Sequence, residues 1–327
     1  MYTEYFIHPN DAKALKALKA IPGFPLLTKK FLDVFYERGW KISNLSSRLK
    51  LSERQFPDIY GILPPICEKL EIQVPEMYIE QDPYINACTF GETNPCIILT
   101  SGLINNCSSD VIKAVIAHEC GHIVCKHVMY KTMARFFLGV GAKILNVPFL
   151  SFSLEYALLY WDRCSEYSAD RAAAYVCGGP DTVVKTMTEL ASGLPTMVDE
   201  INQEEFLKQA EEFHEYSDES AWNKFLMYYQ LLGTNHPFTS DRAADIIKWC
   251  DSRYYADLCN GVPYGSNKEY SMDNYNVNNE LNDNLDMFSN TDNNTPFYES
   301  MDRCPVCQLF IDKNSVYCPY CGNKIIL

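Results

Sequence analysis

Leucines recur at helical spacing in "NDAKALKALKAI" behind an Asn-Asp start, which predicts an amphipathic helix near the beginning of the chain. The pattern resumes after a Pro-Gly-Phe-Pro break in "LTKKFLDVFYERGW". "SERQFPDIYGILPPICEKLEI" adds two short helices, so residues 10–72 read as helical. The period then changes. "EMYIEQD" and "PCIILTSGLI" are β-branched and aromatic runs bounded by turn residues, and "INACTFGETN" between them reads as a further strand and turn. From Ser108 the helical period returns in "SSDVIKAVIAHECGHIVCKHVMYKTM". A Ser-Ser-Asp cap opens it, and Ile112, Val115, Ile116 and Ile123 stand at core-like positions. A longer helix is predicted over Ser153 to Val176, stopped by "CGGP". Helical segments follow in "DTVVKTMTELASGL", the acidic "NQEEFLKQAEEFHEYSDES", "AWNKFLMYYQLL" and "SDRAADIIKWCDSRYYADL". The expected class is α+β, mostly helical with a small mixed sheet.

Composition divides the chain. Residues 265–300 are rich in Asn and Asp and poor in aliphatic side chains, so they cannot bury enough surface to offset chain entropy. Three regions are expected: a main domain over 1–264, with N-terminal helices in 1–72 and a core in 73–264; a disordered linker over 265–300; and a small module over 301–327. In that module "CPVCQLFIDKNSVYCPYCG" sets two Cys-x2-Cys knuckles around Cys304, Cys307, Cys318 and Cys321. Four thiolates at this spacing fit one structural zinc, a zinc ribbon; disulfide pairing is the weaker alternative. The other ten cysteines lie singly, mostly in apolar runs, as small buried hydrophobes do in a reducing compartment.

A net charge of −14 disfavours nucleic acid as a partner. The opening "MYTEYFIHPNDAKALKALKA" lacks a secretory leader, so a cytoplasmic protein is expected. Lys143, Asn146, Pro148 and Glu155 interrupt the apolar stretch 136–161, which falls short of the roughly 20 apolar residues of a spanning helix. A buried hairpin or groove wall is the first expectation there, and peripheral membrane contact the second.

The chemistry concentrates in "VIAHECGHIVCKH". His118 and His122, four residues apart on a helix, are separated by about 40° of rotation and one turn of height, so both imidazoles can grip one ion. Glu119 stands about 100° round from His118, where a carboxylate can take a proton from metal-activated water. His127, about 140° from His122 on a continuous helix, is left to packing or hydrogen bonding. A catalytic zinc needs a third protein ligand and an open position. "WDRCSEYSADRAAAYVC" offers Glu166 and Asp170 on one face of the next long helix, with a solvated face paired to Arg163 or Arg171 as the alternative.

These motifs together resemble the M48 family of zinc metallopeptidases, relatives of the HtpX and CAAX-prenyl endopeptidases. The likeness extends to "INACTFGETNPCIILTSGLI" upstream and "GTNHPFTSDRAADI" downstream, covering residues 60–250. It implies a gluzincin-type domain in which His118, His122 and Glu166 bind a catalytic zinc and Glu119 is general base, then proton donor. It further implies that Asp170 orients a ligand histidine, that His236 stabilises the oxyanion, and that Arg242 braces the acidic groups behind the ligands. Asn86 and Ala87 would border the cleft where an extended substrate pairs with a strand. His236 as a turn or capping residue before Pro237, and Asn86 as a turn residue, stay open. The implied partners are protein or peptide substrates, with a further protein partner for the zinc ribbon. The membrane spans of HtpX-like members are not expected here. The competing function is an inactive peptide-binding scaffold that uses the groove and the ribbon.

Overall fold

The structure is a computed structural model. It describes residues 3–21, 24, 28, 31, 37–91, 93–138, 152–194, 197, 200–220, 223, 239–266, 301–303 and 310–312. Two compact units partition the chain, Met1–Met272 and Asp273–Leu327.

The first unit is helical around one small sheet. Four strands take the order β1 (Leu49–Lys50), β2 (Glu76–Glu80), β4 (Cys96–Thr100), β3 (Ala87–Phe90). β2 and β4 run parallel, and the two outer pairings are antiparallel, which makes the sheet mixed. β4, flanked on both sides, is buried at every residue, as its unbroken apolar run requires. β3 alternates: Ala87 and Thr89 face inward while Cys88 and Phe90 are half-buried. The N-terminal region departs from the all-helical expectation at Leu49–Lys50, which pair with β2. "TSGLI", expected to continue a strand, departs from that expectation instead. Thr100 ends β4, and its hydroxyl caps a short helix, Ser101–Asn106, by accepting from the Leu103 amide.

Two helices carry the centre of the fold. The histidine helix, Ser109–Val124, is capped by Ser108 as its sequence predicts. The carboxylate helix spans Phe152–Cys177. Apolar side chains of the histidine helix, such as Val111, Ile112 and Ile116, enter the main core with β4 and the end of the carboxylate helix. The N-terminal helix Pro9–Ala20 begins at a cap made by His8, whose Nδ1 accepts from the Asn10 amide at 3.1 Å. Its buried Ala14 and Leu18 join a second cluster with Leu158 and Trp161 of the carboxylate helix.

The two central helices touch at backbone distance. A Cβ placed on Gly121 would lie 2.8 Å from the Ala169 carbonyl oxygen and 2.9 Å from its Cα. The run "SADRAAA" opposite keeps that face small.

The second unit contains an antiparallel strand pair, Met301–Arg303 with Phe310–Asp312. Cys304, Cys307, Cys318 and Cys321, the stretch 139–151 inside the apolar segment, and nearly all of the linker 265–300 lie outside the described residues. Among the described residues no helix is long and apolar enough to cross a membrane.

Gly121→Ala tests the close approach. Helix propensity would gain about 1 kcal/mol, but overpacking against backbone costs about 1–3 kcal/mol. A lower urea midpoint is expected; an unchanged or higher one would show that the helices part freely.

Candidate active site

The turn of the histidine helix opposite Ala169 presents His118 and His122 to Glu166 on the carboxylate helix. His118 Nε2 lies 3.3 Å from Glu166 Oε2, and His122 Nε2 lies 3.3 Å from Glu166 Oε1. One donor atom from each of the three residues falls within 4.8 Å of the others. A tetrahedral zinc with ligand distances near 2.1 Å has donor–donor edges of about 3.4 Å. The donor set is also chemically apt, two neutral-capable imidazoles and a carboxylate. The three residues therefore fit such an ion.

Each donor is held from behind. His118 Nδ1 lies 2.9 Å from Asp170 Oδ1. Asp170 accepts two hydrogen bonds from Arg242, Nε to Oδ2 and Nη2 to Oδ1, both 2.7 Å. Arg242 Nη1 stands 3.2 Å from Glu166 Oε2, so one guanidinium braces both acidic groups. On the opposite side of Glu166, Lys131 Nζ donates to Oε1 at 2.6 Å and lies 2.9 Å from Asp162 Oδ1. Glu119, 2% exposed, accepts at Oε2 from the Thr89 hydroxyl at 2.5 Å.

Charge follows this wiring. Burial disfavours the charged form of His118, yet the Asp170 and Glu166 carboxylates outweigh it and bring its pKa up to about 9. Burial and the Lys131 cation together push His122 well below its ordinary value. Burial would raise Asp170, but the Arg242 guanidinium overrides it and holds the carboxyl below the usual range.

His127 is not on a continuous helix. The histidine helix ends at Val124, and Lys126 takes a left-handed conformation with φ 61°. The Lys126 amide donates to Ile123 O and the His127 amide to His122 O, a Schellman closure that folds the chain back. His127 Nδ1 thereby meets His122 Nδ1 at 3.0 Å. The expected hydrogen-bonding role holds, but its partner is a ring that faces Glu166. Another histidine, His214, lies 2.6 Å from Asp241 Oδ1 and is half-buried.

Ala87 opens the edge strand β3 with its side chain in the core, and Asn86 immediately precedes it. The Asn86 amide donates to Thr100 Oγ1, and its side-chain oxygen accepts from the Ala87 amide. His236 lies outside the described residues. Sequence reasoning missed Thr89 and Lys131. Thr89 was discoverable from alternation with Ala87. Lys131, a lone cation in the apolar run "VMYKTM", signals a buried partner.

A histidine pair and glutamate of "HECGH" joined by a carboxylate from a neighbouring helix define a metallopeptidase. The sequence model of peptidase family M48 matches residues 53–250. The chloroplastic plastoglobule-localized metallopeptidase 48 of Arabidopsis thaliana is 33% identical over 259 residues, 77% of this chain and 74% of the relative. A protease HtpX homolog of Helicobacter acinonychis (strain Sheeba) is 30% identical over 184 residues, 47% of this chain and 58% of the relative. An HtpX homolog of Helicobacter pylori (strain Shi470) is 29% identical over a stretch of the same length. No solved structure matches. The chain belongs to peptidase family M48 and is a zinc metallopeptidase.

Arg242→Met strips Asp170 and Glu166 of their shared guanidinium. Breaking such a buried pair is expected to cost about 3–5 kcal/mol in urea unfolding. A loss under about 1 kcal/mol would show that the bridge contributes little.

Proposed function

We propose that the chain is an endopeptidase that hydrolyses extended or unfolded protein segments, with His118, His122 and Glu166 holding the zinc. The convergence of these three side chains beside a buried Glu119 carries the reading. Zinc held there supplies Lewis acidity, polarising the scissile carbonyl and making water easier to deprotonate. Glu119, steadied by the Thr89 hydroxyl, takes the proton as the water oxygen bonds to the carbonyl carbon. It returns the proton to the amide nitrogen as the C–N bond breaks, leaving a carboxylate and an amine. Asp170 fixes the His118 ring, and Arg242 holds Asp170. His236 is assigned to the developing oxyanion, and β3, the outermost strand of the sheet among the described residues and just past Asn86, to pairing with substrate backbone.

The domain plan completes the proposal. Residues 1–264 form the peptidase, 265–300 a tether, and 301–327 a zinc ribbon in which Cys304, Cys307, Cys318 and Cys321 bind a structural ion and present a surface to a protein partner. A reducing, cytoplasmic setting suits the ten described cysteines, which are all free thiols. Segment 136–161 is assigned to a groove wall.

Glu119→Gln should keep its zinc and lose at least about 100-fold in casein cleavage. Cleavage near wild-type rate would overturn the base assignment, and a wild-type protein that binds zinc and peptide without cutting would be the scaffold. Metal analysis of the full chain should return two zinc ions. Cys304→Ser with Cys318→Ser should remove one of them and leave cleavage intact; two ions remaining in that variant would sink the ribbon assignment.

A further inference from the structure

Behind His122 stands a hydrogen-bonded chain that the peptidase reading does not use. His122 Nδ1 meets His127 Nδ1 at 3.0 Å, and His127 Nε2 meets Asp11 Oδ2 at 2.9 Å. Asp11 also accepts from the Trp161 indole at Oδ1, 2.9 Å, and from the Ser168 hydroxyl at Oδ2, 2.7 Å. All five side chains are buried at 2% exposure or less. Asp11 belongs to the N-terminal helix Pro9–Ala20, outside residues 53–250 matched by the family.

Nδ1 facing Nδ1 allows one proton between the two rings. If His122 offers its Nε2 lone pair to a metal, its neutral ring must carry the proton on Nδ1 and donate it to His127. His127 then accepts at Nδ1, so its own proton sits on Nε2, and only an acceptor can face it there. Asp11 is that acceptor, and as a carboxylate it has no other polarity to offer. The Trp161 indole, a donor only, keeps Oδ1 an acceptor too.

We propose that Asp11 is a positioning residue for the metal site: acting through His127, it sets the tautomer of both imidazoles and so aims the His122 lone pair at the ion. The inference rests on His122 being a zinc ligand. It makes the N-terminal helix part of the active site although it lies outside the family match. An asparagine at position 11 cannot do this. With its NH2 toward His127 it reverses both rings and puts a proton on His122 Nε2. Turned over, it sets that NH2 against the Trp161 indole N–H. Replacing Trp161 by Phe removes the second conflict, so the amide can present its oxygen to His127.

The test is a double-mutant cycle on the full chain, read as cobalt affinity. Visible absorption of cobalt in a nitrogen and oxygen site is separable from the charge-transfer bands of a thiolate site. Asp11→Asn should weaken the nitrogen and oxygen site about 10–100-fold. The same change in a Trp161→Phe background should cost much less. Equal losses in both backgrounds, or no loss in either, overturn the inference. His127→Gln, whose amide oxygen can take the His122 proton, should keep affinity that His127→Leu loses; equal affinities overturn it even should the Asp11 variants fail to fold. His122→Ala separates the two levels. Cobalt bound undiminished by that variant sinks the metal reading, whereas loss there with full binding by Asp11→Asn sinks the relay alone.

Discussion

Seven ionisable side chains meet where water is nearly excluded, and each must find its opposite. His118, Glu119, His122, Lys131, Glu166, Asp170 and Arg242 are all at or below 9% exposure. A charge left alone in such a place costs several kcal/mol, so their positions are mutually determined. Arg242 faces Asp170 and Glu166, and Lys131 faces Glu166 and Asp162. The result is a carboxylate gripped on both flanks, whose two oxygens each face an imidazole nitrogen. Rotating Glu166 to another rotamer would break contacts with two cations at once. That restraint makes the three donors a preorganised set, and preorganisation is what a metal site requires of its protein.

The compensation works because the elements come close. Gly121 lets the histidine helix meet the carboxylate helix at backbone distance. Side chains on the two helices then span short gaps, which limits their freedom and the entropy lost in holding them. The N-terminal helix packs on the carboxylate helix and reaches the same centre through Asp11. The sheet contributes Thr89 from β3, so Glu119 is held by the sheet as well as by its own helix.

Most of the helical architecture and the histidine pair of the candidate site were legible in the chain. Ser108 before "SDVIKAVIAHECGH" marks its helix start, and the i, i+4 rule pairs His118 with His122 as the structure has them. Glu166 and Asp170 were legible only as a pair on one face. Which of them meets the imidazole Nε2 atoms and which meets His118 Nδ1 depends on the height at which two helices cross. The end of the histidine helix was misread because "CKH" carries no glycine or proline. A lysine in the left-handed region closes it, a conformation that side chains other than glycine rarely take. The ladder of β1 on β2 was missed for a similar reason, since a two-residue strand has no period to detect.

Local pattern is a property of neighbours along the chain, and it therefore determined the helices, their caps, the buried strand β4 and the two histidines with their glutamate. Contacts between residues 11 and 127, 89 and 119, 131 and 166, or 170 and 242 join segments far apart in sequence, and no periodicity encodes them. Only the folded chain decides those, because burial of each polar group selects its partner by distance and charge once the helices have packed.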